Sequence, residues 1–167
     1  HFHNSYEIIY ILEGKVSLKV NDRTYEIGGN NIVFINNFES HELVSRSSAY
    51  KRYYILIKPS CLQSVINEPI ILSIFKHRPE HFRHVVALRE ADGQAVLGFL
   101  KNMRSEMDGG MPFMNEALIS HLQLMMIYLY RNCREAFPLA ALNKPMETIL
   151  RIQKYLEDNY SEEITLE

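Results

Sequence analysis

The chain is short of the features that would assign it quickly. It has only two cysteines, Cys61 and Cys133, in different segments and without CxxC or CxxH spacing. Neither a disulfide framework nor a cysteine-based zinc site is indicated, and two free, buried thiols are expected. No apolar run approaches the roughly 18 to 20 residues that span a bilayer, and the first residues do not form a secretory signal. A cytoplasmic location without a membrane partner is therefore expected. An excess of charge of one sign is missing as well. The 18 Lys and Arg are set against 20 Asp and Glu, a formal charge of −2, so nothing suggests that this chain alone binds nucleic acid. Internal repeats and low-complexity stretches are absent. What is present is a 47% hydrophobic content over 167 residues, enough for one domain with a sizeable core plus a fragment of another.

The first fourteen residues read His1-x-His3-x3-Glu7-x6-Gly14. In an extended strand alternate side chains share a face, so His1, His3 and Glu7 point the same way, followed by Ile9 and Ile11. Phe2, Tyr6, Ile8, Tyr10 and Leu12 take the other face. Apolar residues on both faces predict a strand buried on both sides, as in a barrel wall. Imidazole nitrogens with a carboxylate can hold a divalent metal, and the same groups can hydrogen-bond a polar small molecule. The chain lacks an initiator Met and starts inside this motif, so upstream residues are expected.

Residues 1–58 read as short strands separated by turns. Val16, Leu18 and Val20 alternate with lysines, Asn21-Asp22 makes a hairpin turn into Arg23-Thr24-Tyr25-Glu26-Ile27, and further strands are predicted over 32–35, 40–44 and 49–57. That spacing suggests a sandwich or small barrel. From Pro59 the period changes to helical, with short pieces at 60–66 and 70–75 and a His- and Arg-rich segment at 77–84, expected to be a solvated loop. Two longer helices follow at 92–107 and 115–133. The first carries Val96, Phe99, Leu100, Met103 and Met107 on one face. The second is apolar nearly all round between Leu122 and Tyr130, which calls for cover by both the barrel and a partner subunit; His121 within it is expected to be a satisfied polar position. Residues 138–145 read as a linker, and 146–167 as a helix and the abrupt start of another element, with Thr165 a good N-cap.

The first strand resembles the opening motif of the cupins, small double-stranded β-barrels, at His1, His3, Glu7 and Gly14. The second cupin motif matches only at His41; Asn36, Phe38 and Ser45 depart from it. A narrower resemblance covers the whole chain. The order of barrel, helix pair and then a tail containing Lys154-Tyr155-Leu156, Asn159-Tyr160 and Ile164-Thr165-Leu166 is similar to bacterial AraC-type transcription regulators. The resemblance implies a mainly β plus α chain: a cupin-like effector-binding barrel at 1–58, a helical dimerisation segment at 59–137, the linker at 138–145, and at 146–167 the truncated start of a helix-turn-helix DNA-binding domain.

On that resemblance the chain is expected to be no enzyme. It would bind a small-molecule effector, with a sugar the leading class, and form a homodimer through helices 92–107 and 115–133. Promoter DNA would be a partner of the full-length protein but not of this fragment, whose tail holds six acidic residues against two basic ones. His1, His3, Glu7 and His41 are the candidate ligand-binding residues, and a divalent metal on the same four is a second reading of them. Tyr54, among the tyrosines of the long strand 49–57, is the candidate for stacking on a sugar ring. The alternative is a cupin metalloenzyme, an oxygenase or isomerase, which would need an open metal position and a second catalytic group that the sequence does not offer.

Overall fold

A computed structural model describes residues 4–76 and 78–138, together with Thr148, Ile149, Ile152, Tyr155, Leu156 and Asn159. Most of the predicted tail helix, and the linker before it, lie outside the described residues.

Seven strands build two antiparallel sheets. The four-stranded sheet has the order β6-β1-β4-β7 and the three-stranded sheet the order β3-β2-β5. The strands are β1 (Tyr6–Glu13), β2 (Val16–Val20), β3 (Arg23–Ile27), β4 (Asn31–Ile35), β5 (His41–Ser45), β6 (Lys51–Ile57) and β7 (Val85–Ala87). The alternation read from the sequence holds: Ile9, Ile11, Val16, Leu18, Val20, Val33 and Ile35 meet between the sheets. The opposite face of the larger sheet carries Tyr6, Ile8, Tyr10, Ile32 and Phe34 into a second core shared with the helices. β1 is thus buried on both faces while the smaller sheet is covered on one, which is why β1 runs apolar from Ile8 to Leu12 on both faces and β2 carries the exposed Lys19.

Gly14 ends β1 with φ 98°, and a Cβ there would collide with the Ala49 carbonyl. The motif glycine is therefore required by the turn rather than by chemistry. Two strands against one another at this register also fix what is left uncovered. His41 on β5 lies over Glu7 on β1, and Tyr25 on β3 reaches His84 beside β7. The three-stranded sheet therefore spans β1 to β7, and the inner face of β6 projects beyond it.

The helices are α1 (Pro59–Val65), α2 (Pro69–Leu72), α3 (Glu90–Gly109) and α4 (Met114–Asn132), followed by a short 3-10 turn at Arg134–Ala136. Val96, Leu97, Leu100 and Met103 of α3 and Leu122, Met125, Met126 and Leu129 of α4 face the shared core. Met107, predicted on the buried face, is instead 58% exposed, as is about half of Leu124; both lie on sides of the helices turned from the sheet. The first turn of α3 is tied to the barrel by side chains. The Tyr10 hydroxyl donates to the Gly93 carbonyl at 3.3 Å and Asn30 donates to the Leu88 carbonyl at 2.8 Å. Asp92, only 2% exposed, accepts from Tyr128 of α4 and from Arg89. Of the two expected buried thiols Cys133 is buried and Cys61 is exposed, because Cys61 falls on the outer side of the short helix α1.

Candidate functional site

The interior of the sandwich is apolar along most of its length and polar at one end. Glu7, the second residue of β1, points inward with Ile9 and Ile11. His41, the first residue of β5, stands opposite Val20 and shares its inward face. Each is only 6% exposed, and His41 Nε2 lies 2.9 Å from Glu7 Oε2. The imidazole Nδ1 is 3.4 Å from the Glu39 carbonyl. The structure brings Glu7 and His41 together, while His1 and His3 lie outside the described residues. Glu7 and His41 supply one oxygen and one nitrogen donor. Among the described residues no group of three or more His, Cys, Asp or Glu is arranged to hold a metal ion.

Tyr54 stands opposite Ile9 on the inward face of β6, with Leu56 opposite Glu7 and Arg52 opposite Ile11. Because β6 projects beyond the smaller sheet, this face is open: Tyr54 is 58% and Leu56 51% exposed. Tyr54 lines the rim rather than the closed interior, under the Arg52 guanidinium at 5.5 Å from its ring. The tyrosine that does reach inside is Tyr50, whose ring packs on the interior cluster. Its hydroxyl is buried with no hydrogen-bond partner among the described residues. Burial pushes this hydroxyl above its ordinary range; Arg52 pulls it down, and the Glu7 charge pushes it further up. A buried, unpaired hydroxyl costs stability. It is therefore a group that a ligand can satisfy. Tyr50 was visible in the sequence only as one of several tyrosines near a strand end.

A second polar cluster fixes the loop that delivers His41. Glu39 accepts from Arg78 and from His84. Arg78 also donates to the carbonyls of Ile74 and Phe34 and lies over the Phe82 ring at 4.3 Å. A carboxylate only accepts, so His84 Nε2 carries the proton toward Glu39, while its Nδ1 faces the Tyr25 hydroxyl at 2.8 Å. Burial alone would raise the Glu39 carboxyl. The hydrogen bond from His84, the Arg78 charge and the backbone N–H of Asn36 overcome it and hold the group at about 2. The expectation of a solvated loop over 77–84 is therefore corrected for Arg78 and His84, whose side chains are only 8% and 7% exposed: both bond to Glu39, a residue some forty positions earlier. His121 is corrected too, since its Nδ1 is buried without a hydrogen-bond partner among the described residues.

An antiparallel sandwich with one polar end to its interior, backed by two helices that cover its larger sheet, is a ligand-binding module of the cupin-like jelly-roll kind. The chain belongs to the AraC-like ligand binding domain family, whose model matches residues 1–122. Among solved structures it is similar to the AraC-like transcriptional activator CuxR, at 12% identity and a TM-score of 0.53, over 98% of this chain and 54% of that one. It is also similar to ToxT from Vibrio cholerae, at 13% identity and a TM-score of 0.50, over 98% of this chain and 60% of that one. An apo ToxT variant from Vibrio cholerae strain SCE256 gives 12% identity and a TM-score of 0.53, over 98% and 60%. At such identities these likenesses bear on the fold. The chain spans between half and two thirds of the length of these solved relatives. No curated protein sequence matches it. No described helix is long and apolar enough to cross a membrane.

Proposed function

We propose that the chain is the effector-sensing and dimerisation region of an AraC-type DNA-binding transcription regulator, and that it is not an enzyme. The observation that carries the sensing role is the polar end of the interior: the buried Glu7–His41 pair, next to the open inner face of β6, where Leu56 stands opposite Glu7 and Tyr54 opposite Ile9. A sugar suits this arrangement. Its hydroxyls both donate and accept, so they can pair with a carboxylate and an imidazole at once, while a ring face stacks on Tyr54. The effector reaches the pair across β6. A divalent metal held by His1, His3, Glu7 and His41 is the second form the site can take.

Helices α3 and α4 form the homodimer contact, and residues 146–167 begin the helix-turn-helix domain that reads promoter DNA in the full-length, cytoplasmic protein. The present region does not itself retain operator DNA. Effector binding shifts the populations of arrangements offered to the DNA-binding domain, by no more than its differential affinity for them. Thermal-shift measurements with sugars, aromatic acids and divalent metals test the sensing role. Stabilisation by one or more sugars is expected. Stabilisation by a divalent ion alone, abolished by chelator, would move the site to the metal form, and no response to any compound would refute a sensor.

A further inference from the structure

The inner face of β6 carries three side chains in succession: Arg52 opposite Ile11, Tyr54 opposite Ile9 and Leu56 opposite Glu7. All three are exposed. Arg52 and Leu56 stand roughly 13 Å apart along the strand, so the Tyr54 ring lies between the guanidinium and the level of the Glu7–His41 pair. Among the described residues Arg52 makes no ion pair, and the Glu13 carboxylate at the same end of β1 is taken by Lys51 at 2.8 Å. What holds the guanidinium is aromatic. It lies 5.9 Å from the centroid of the Tyr50 ring and 5.5 Å from that of Tyr54, within the range of a cation–π contact, and it lowers the titration of the Tyr50 hydroxyl. The face therefore offers one cation without an anion, held by two rings, beside an aromatic surface that is 58% exposed.

We infer that the effector is a sugar acid, a hexuronate whose carboxylate is bound by Arg52 while its ring stacks on Tyr54 and its hydroxyls reach the Glu7–His41 pair. This rests on the sensing role proposed above and names the class of sugar. The planar guanidinium presents a fork of N–H donors that matches a carboxylate with two parallel bonds. A fork already held against two rings loses little freedom when it binds. Charge favours the carboxylate over a phosphate ester. A phosphate monoester carries about −1.5 to −2 against the one guanidinium, and the excess would add to the negative charge of Glu7 on the same face.

The probes are glucuronate and galacturonate, each beside its parent hexose, its uronamide and its hexose 6-phosphate, with benzoate as an acid that lacks the sugar, titrated calorimetrically into the protein. One uronate is expected to bind on the order of tenfold or more tightly than its uronamide, which keeps the size and removes the charge. Arg52→Gln is expected to bring the uronate down to the affinity of the uronamide and to leave the uronamide unchanged. Arg52→Lys keeps the charge without the fork and is expected to recover part of the difference. Both substitutions fall at an exposed position, so both variants are expected to melt as the wild type does. A uronamide or parent hexose that binds as tightly as the uronate, or a uronate that Arg52→Gln leaves undiminished, would overturn the inference and leave the sensing role standing. Tighter binding of a 6-phosphate or of benzoate would overturn it by moving the effector to another class of anion. Binding of none of these compounds would overturn it as well, and the thermal-shift response to the wider panel then decides the sensing role separately.

Discussion

The carboxylate of Glu7 and the imidazole of His41 meet 2.9 Å apart inside a sandwich whose buried cluster is made of isoleucine, leucine and valine, with Tyr25 and Tyr50 packed against it. Removing one member of such a buried pair costs more than replacing both by apolar residues. His41→Ala is expected to cost on the order of 3 kcal/mol in urea denaturation. Replacing both residues by leucine is expected to cost less than the sum of the single replacements, since neither then leaves a polar group behind.

Glu39 links the second cluster to acid stability. Its carboxyl is held at about 2 in the folded protein, against an ordinary value of 4.5. A depressed carboxyl contributes stability that is complete above the unfolded value and is lost as pH falls from about 4.5 toward 2. The contribution at neutral pH is on the order of 3 kcal/mol. Denaturant midpoints measured across that window are expected to fall steeply in the wild type and less steeply in Glu39→Gln.

Two glycines of the same helix should respond in opposite directions. A Cβ on Gly93 would overlap the Asn30 side-chain amide, while one on Gly98 would meet nothing within 4 Å. Gly98→Ala is expected to raise stability by about 0.5–1 kcal/mol through helix propensity. Gly93→Ala displaces Asn30 from Leu88 and Tyr10 and is expected to lower stability by ~2 kcal/mol. Thermal melts followed by circular dichroism separate the two.

Sedimentation at micromolar concentration is expected to give a dimer, through the faces of α3 and α4 that bear Met107 and Leu124, each more than half exposed. Monomer alone would contradict that contact, and Leu124→Lys is expected to weaken it.

The strands were legible because burial imposes a period of two on them: β2 and β3 fall where the alternation and the Asn21-Asp22 turn put them. Glu7 and the inward face of β1 followed from the same alternation. What escaped depends on partners distant in sequence. β7 has three residues, too few to show a period, and it sits beside a charged stretch that resembles a loop. The side chains of Arg78 and His84 turn inward to bond Glu39, and no local pattern announces a pairing across about forty positions. Tyr54 and Tyr50 differ by which lies under the smaller sheet, a consequence of how the sheets overlap and not of either residue's neighbours.

Tyr50 and Tyr54 also divide stability from binding. Tyr50→Phe removes a buried hydroxyl for which the described residues give no geometric hydrogen bond, so the free protein is expected to be about as stable as the wild type. Its effector-induced stabilisation is expected to fall. Tyr54→Ala, at an exposed position, is expected to leave free stability within about 0.5 kcal/mol and to weaken ring stacking.

Calorimetric titration of the sugar that gives the largest thermal shift, into wild type, Glu7→Gln and Tyr50→Phe, bears on the sensor most directly. Binding to the wild type with affinity reduced about tenfold or more in each variant, while both variants keep cooperative melts, is expected. Undiminished affinity in both folded variants would show that the sugar binds elsewhere, and that the polar end of the barrel is structural.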